Sequence, residues 1–279
     1  MPPLALAFWR DLIVAVALVG ALALTSPPLL RPGSVRLRFL ILYGLVLAVL
    51  NVLWMASVNL NGAAIATVLA YSAPAFTALV SWRWWGERMD ASKLGALALS
   101  LAGCAFVSGA YQRAAWQVNP TGILVGLATG IALAAYNLMG KSSARRGINP
   151  WTATCYIFCF ATAFLLLLQR PDTLLWLSRP LAAGADGWRE AALGWGTLIL
   201  LAIGPTIGGY SLYTISLTIL PAATASLIGT LEPLITAVLA FFLLGEQLTA
   251  PQLFGGGLIL AGVLLLRLGE RGGNADRQS

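Results

Sequence analysis

Residues 62–106 read GAAIATVLAYSAPAFTALVSWRWWGERMDASKLGALALSLAGCAF, and residues 221–265 read PAATASLIGTLEPLITAVLAFFLLGEQLTAPQLFGGGLILAGVLL. At a constant offset of 159 the two stretches stay in register without a gap. Ala63, Ala64 and Ala66 fall on Ala222, Ala223 and Ala225, and Pro74 falls on Pro233. Thr77-Ala78 meets Thr236-Ala237, and Gly86-Glu87 meets Gly245-Glu246. Further on, Leu99, Leu101, Ala102 and Gly103 meet Leu258, Leu260, Ala261 and Gly262. Apolar sequence often matches itself by chance, but seldom through Pro, Gly-Glu and Gly landmarks in a single register. The chain repeats itself.

The surroundings of the repeat are as apolar as the repeat. Of 279 residues, 59% are hydrophobic and 10% charged, and the mean hydropathy is +0.83. A soluble domain carries roughly 25% charged and about 45–50% apolar residues, and a chain of this length cannot hide so large an apolar excess in one core. The expected class is therefore an all-α integral membrane protein. A helix needs about 20 apolar residues to cross the hydrocarbon core. Nine candidates meet that need: Leu4–Leu24, Arg38–Val58, Gly62–Trp82, Ala91–Ala110, Thr121–Lys141, Trp151–Gln169, Leu193–Ser216, Ala222–Leu244 and Pro251–Leu268. The links hold turn and breaker residues such as Pro27-Pro28, Pro32-Gly33, Asn119-Pro120, Asn149-Pro150 and Pro221. Only Arg170–Ala192 has room for more, an interfacial helix with Trp176 and Trp188 at the headgroups.

Composition also removes chemistries. With no histidine, Ser-His hydrolysis, imidazole bases and imidazole metal sites are excluded. Cys104, Cys155 and Cys159 all lie in apolar runs. Two thiols one turn apart do not make a four-ligand zinc site, so they read as small apolar filler. No cofactor and no metal are expected. The net charge of +7 never gathers into a basic run with interleaved aromatics, which argues against nucleic acid. It follows membrane topology instead. With the C-terminus in the cytoplasm and the N-terminus outside, Arg31, Arg36, Arg38, Arg83, Arg88, Lys93, Lys141, Arg145, Arg146, Arg267, Arg271 and Arg277 are cytoplasmic. The outer side holds Arg113, Arg170, Arg179 and Arg189, and Arg10 lies within the first span.

The two Gly-Glu turns differ in charge. Trp82-Arg83-Trp84-Trp85-Gly86-Glu87-Arg88 is basic, whereas Leu243-Leu244-Gly245-Glu246-Gln247-Leu248 has no basic residue. The first is expected inside and the second outside, so the repeats are inverted. Inverted repeats characterise transporters whose site lies near the midplane between the halves. Inversion requires an odd number of helices in each half. Residues 120–268 hold five spans and residues 1–111 hold four, with 269–279 as a cytoplasmic tail. Pro3-Leu4-Ala5-Leu6 matches Pro150-Trp151-Thr152-Ala153, the start of the later half's second helix. The expectation is a chain that starts one helix late, with a counterpart of Thr121–Lys141 absent from the first half.

The pattern Pro74, Gly86-Glu87, Gly95, Gly103, repeated as Glu232-Pro233, Leu244-Gly245-Glu246, Gly255, Gly262, resembles the EamA-like branch of the drug/metabolite transporter superfamily. So do Arg10 early in its helix and Lys141 closing a later one. The resemblance implies a ten-helix, 5+5 inverted-repeat bundle in the bacterial inner membrane. It further implies secondary transport of small metabolites, often export of amino acids or related compounds.

Ionisable groups inside spans mark the candidate site, because charge at the bilayer centre costs at least about 2.5–3.5 kcal/mol. They are Arg10, Asp11 and Glu232. Glu232 is expected ten residues into its helix, about 15 Å deep. Pro233 follows it and removes the helical donor for the Gly229 carbonyl. A carboxylate there suits a substrate ammonium group or a proton, or a protonated contact to a neighbouring helix. Arg10 either snorkels and pairs with nearby acids or holds a substrate carboxylate bidentately. With Glu232 it would then recognise a zwitterion. Pro74 and Pro233 are matched helix breaks, the best pointer to a transport site and its gating. Asn51, Trp54, Tyr71, Ser72, Tyr136, Asn137, Tyr156, Tyr210 and Tyr213 lie on these and neighbouring spans. The offset of 159 puts Asn51 on Tyr210 and Trp54 on Tyr213. All but Tyr156 are assigned to the cavity, whose aromatic walls would suit an apolar metabolite, against ordinary packing as the other reading.

Gly122, Gly126 and Gly130 make a small-residue stripe, Gly204 and Gly208 a second, and Gly255-Gly256-Gly257 with Gly95 and Gly103 a third. They are expected to allow close helix packing, with homodimerisation as a lesser use. Two other functional classes compete with transport. One is a non-transporting scaffold or assembly partner in the bilayer. The other is a sugar-phosphate or nucleotide-sugar carrier, which would need more intramembrane cations than Arg10 and Lys141. An intramembrane enzyme has no histidine, no clustered carboxylates and no soluble lobe to work with.

Overall fold

The computed structural model describes residues 3–87, 89–112, 120–169, 188–244 and 249–275. Within them the chain is built of helices and short turns: α1 Pro3–Thr25, α2 Ser34–Ala70, α3 Ala73–Trp85, α4 Ala91–Val107, α5 Pro120–Arg145, α6 Pro150–Leu167, α7 Trp188–Leu201, α8 Gly208–Ile219, α9 Ala222–Gly229, α10 Glu232–Leu244 and α11 Ala250–Ala275. Helices satisfy every backbone polar group internally, which lipid demands. Among the described residues six stretches are long and apolar enough to cross a membrane: Leu4–Thr25, Arg36–Trp85, Pro120–Arg145, Pro150–Leu167, Ala192–Ile219 and Ala222–Leu239. Two more, Ala91–Val107 and Ala250–Leu266, are apolar but shorter. This is a multi-pass membrane protein.

Six long stretches stand against nine expected spans because breaks and lengths are distributed differently. Arg36–Trp85 is one 50-residue stretch, bent where Gly62 takes φ 74° and ψ 162°, a region open essentially to glycine. It breaks again at Tyr71-Ser72, before Pro74 in the first turn of α3. The same break recurs at Thr230-Leu231, before Pro233. Proline lacks an N–H, which the first turn of a helix does not need, and each of these two prolines stands in the first turn of a new helix. The turns are tightened by bonds spanning three residues: Ser72 N–H to Leu69 O at 3.2 Å, Thr230 N–H to Leu227 O at 3.1 Å, and Leu231 N–H to Ile228 O at 3.0 Å. Glu232 therefore begins α10 instead of lying ten residues inside an unbroken helix. Helix α11 also continues to Ala275 rather than ending at Leu268. The interfacial helix expected over Arg170–Ala192 and the Gly245-Glu246 turn fall mostly or wholly outside the described residues.

The chain divides into two compact units, one of Met1–Met55 with Met139–Ile219, the other of Ala56–Leu138 with Leu220–Ser279. In the first unit Gly44 of α2 lets α6 approach, since a Cβ there would lie 3.0 Å from the Ile157 carbonyl oxygen. Tyr43, Leu40, Leu47 and Phe158 are fully buried in that unit. In the second unit α4 packs on α11 through Gly103 and Gly262. A Cβ on Gly103 would lie 2.6 Å from the Gly255 carbonyl oxygen, and one on Gly262 2.8 Å from that of Ala96. Gly122, Gly126 and Gly130 of α5 meet Asn61, Leu69 and Ser72 just as tightly, so these stripes serve packing as expected. Gly204 and Gly208 do not, because both face open space. They flank Pro205 in a π-helical turn, Ala202–Ile207.

Candidate functional site

In the second unit the two helix breaks meet through their side chains. Tyr71, in the first break, donates its phenolic hydrogen to Oε2 of Glu232, the first residue of α10, at 2.9 Å. Glu232 is exposed and Tyr71 half-buried, so the pair offers an accessible carboxylate at the positive end of a helix dipole. Behind it, the buried Cys104 thiol points at the Thr230 carbonyl oxygen, 3.9 Å away. Ser72 turns back on its own helix, donating to Leu69 O at 2.6 Å. Asn137 of α5 braces the breaks from the side. Its Nδ2 donates to Ser226 Oγ of α9 at 2.9 Å and to Thr77 Oγ1 of α3 at 3.4 Å, and all three residues are buried. Tyr136 is buried beside it in sequence, and Pro74 is buried at the start of α3.

The Gly-Glu turn also has a local task. Gly86, at φ 66°, closes α3 in the left-handed conformation. Glu87 then reaches across, and its Oε1 accepts from the Ala222 N–H at 3.3 Å, at the start of α9. A carboxylate there answers one of the unpaired amides at the helix N-terminus.

The first unit holds the other ionisable cluster. Arg10 Nε and Nη2 both donate to Asp11 Oδ1, at 3.0 and 2.8 Å. Asn51 of α2 accepts from Arg10 Nη2 at 3.2 Å and donates to Asp11 Oδ2 at 2.7 Å. Asp11 has no exposed surface, while the Arg10 side chain keeps 20%. Trp54 lies half-buried one turn beyond Asn51. Tyr210 packs edge-to-face on Phe158 with centroids 5.0 Å apart, and Tyr213 is half-buried on the same helix. Arg10 and Asn51 are thus brought together, as are Glu232 and Tyr71, each pair in its own unit. Thr77, Ser226, Cys104 and Thr230 join the site through contacts that the sequence alone does not reveal. Only Thr77 carried a signal, as part of the Thr-Ala pair matched at Thr236. Among the described residues no three Cys, Asp or Glu side chains gather to hold a metal ion.

A polytopic helical membrane protein with breaks at matched prolines is the architecture of a carrier. The profile of the EamA-like transporter family matches residues 1–109 and 120–268. The chain belongs to that family, within the drug/metabolite transporters. It is 29% identical over 227 residues to an uncharacterized transporter of Archaeoglobus fulgidus, covering 78% of this chain and 74% of that one. It is 30% identical over 236 residues to the threonine/homoserine exporter RhtA of Escherichia coli K12, covering 81% and 72%. With a probable amino-acid metabolite efflux pump of Salmonella typhimurium it shares 26% over 278 residues, covering 97% and 87%. A solved crystal structure matches with a TM-score of 0.76 at 18% identity, over 97% of this chain and 89% of its own; that likeness concerns the fold alone.

Proposed function

We propose that this protein is a secondary transporter exporting an amino acid or a related amino compound across the bacterial inner membrane. The carrying observation is the accessible Glu232 carboxylate held by Tyr71 where two broken helices meet. Such breaks expose helix termini to a polar ligand within the bilayer. A carboxylate with one hydrogen bond from Tyr71 retains acceptor capacity for an ammonium group. The names of the exporter and efflux relatives support the substrate class. In this reading nine helices form two inverted repeats over 1–111 and 120–268, with the C-terminus in the cytoplasm, and the halves alternate access. Pro74 and Pro233 set the breaks about which the half-helices move. In the second unit Ser72, Tyr136 and Asn137 line or brace the path beside that carboxylate, and in the first unit Asn51, Trp54, Tyr210 and Tyr213 offer polar and aromatic groups to a substrate. Arg10 supplies hydrogen-bond donors there. Its engagement by Asp11 and Asn51 supports placing phosphorylated sugars and nucleotide sugars lower, because they need unpaired cations.

Untargeted metabolite profiling of medium and cytosol tests the reading in cells expressing the chain or its Glu232→Gln variant. The expected result is an amino compound that moves to the medium with the native chain and not with the variant. No shift despite confirmed membrane insertion would overturn it in favour of a non-transporting scaffold.

A further inference from the structure

We infer that Asp11 sets the charge that the first unit presents through Arg10, and so makes the transporter select against substrates of net negative charge. The inference rests on the carrier reading above and adds a specificity-determining residue to it. Consecutive residues on a helix point about 100° apart, so Arg10 and Asp11 do not meet by default. They meet here because Arg10 folds back, with Nε and Nη2 both on Oδ1. Asn51 then closes a ring of three side chains, accepting from Arg10 and donating to the second Asp11 oxygen. Both carboxylate oxygens are engaged and Asp11 is sealed from any surface, whereas Arg10 retains an accessible edge.

A charged side chain inside a membrane span keeps accessible surface where it faces water or a ligand path. The edge that Arg10 offers there keeps its hydrogen-bond geometry but has lost its net charge to Asp11. A ligand carboxylate approaching it meets the guanidinium first, with the Asp11 carboxylate a few ångströms behind, and the second field offsets much of the first. Nor can the ligand displace Asp11 readily, because a buried carboxylate stripped of its partners is strongly disfavoured. The ring therefore orients a substrate by hydrogen bonds while giving an extra anionic group little reward.

Thermal stability of the purified full chain, titrated with amino-acid probes, tests this. Asp11→Asn leaves an uncompensated guanidinium, and L-glutamate is expected to stabilise it at a concentration at least about tenfold lower than the native chain requires. The double variant R10Q/D11N is expected to lose that gain. A response to L-glutamate in Asp11→Asn equal to the native chain, or a gain that persists in the double variant, would overturn the inference. Should Asp11→Asn not fold, Asp11→Ser decides with the same sign. It too removes the carboxylate and is expected to respond to L-glutamate at about tenfold lower concentration, and no shift there overturns the inference. The native chain's response to L-leucine checks the amino-compound reading separately and does not enter the comparison of variants.

Discussion

The two helix breaks differ in the residue that opens the second helix. At the offset of 159, Glu232 corresponds to Ala73, which has no exposed surface. At that position one copy carries a buried alanine and the other an exposed acid. Tyr71 is the phenol that reaches across to that acid, and a hydrogen bond to a charged group is worth about 1.5–3 kcal/mol. Tyr71→Phe is expected to raise the transport KM about tenfold with little change in maximal rate, measured on the substrate that profiling identifies. An unchanged KM would separate Tyr71 from binding. Glu232, Pro74 and Pro233 were legible in the sequence because acids and prolines inside apolar runs are costly and so rarely idle. Their partners were not. Tyr71 and Glu232 are 161 positions apart, and Asn51 stands 40 from Asp11. No local pattern encodes which distant side chain a polar group will meet, so the Asn51 amide that locks Asp11 is not legible beforehand.

Among the elements, the helix ends follow the repeat more closely than hydropathy could show. Adding 159 to Ala73, Trp85 and Ala91 gives Glu232, Leu244 and Ala250, the bounds of α10 and the start of α11. Adding it to Ala70 gives Gly229, the end of α9. Averaging over about 20 residues smooths across a two-residue turn, which is why the expected spans ran through both breaks. Glycine spacing, by contrast, identified contacts directly where the helix is regular and failed at the π turn around Pro205. The α4 and α11 contact gives a sharp test. Gly103→Val places side-chain atoms against the Gly255 carbonyl and the Ile259 amide, which are backbone and cannot move aside. It is expected to cost about 2 kcal/mol, read as a drop of several degrees in the melting temperature of the purified protein. Gly20→Val, which faces open space, is expected to leave that temperature within about a degree. Equal effects would remove the packing argument for α4 and α11.

At the scale of the whole molecule, charge and hydropathy were enough to read a polytopic membrane protein, and the repeat was enough to reach its family. Orientation has a direct measurement. A fluorescent protein fused after Ser279 is expected to glow in the cytoplasm, and alkaline phosphatase at the same point to stay inactive, as the distribution of Lys and Arg requires. The reverse pattern would invert every assignment of inside and outside. The division of the chain into interleaved units bears on how it is made. Neither unit is continuous: the first needs residues up to Ile219, and the second needs Leu220–Ser279 to join residues 56–138. At roughly 5–20 residues per second, the ribosome takes on the order of seconds to add that last piece. During this interval Gly103 and its neighbours on α4 lack the helix they are shaped for, a newly inserted glycine face that a chaperone or a quality-control protease would meet before α11 does.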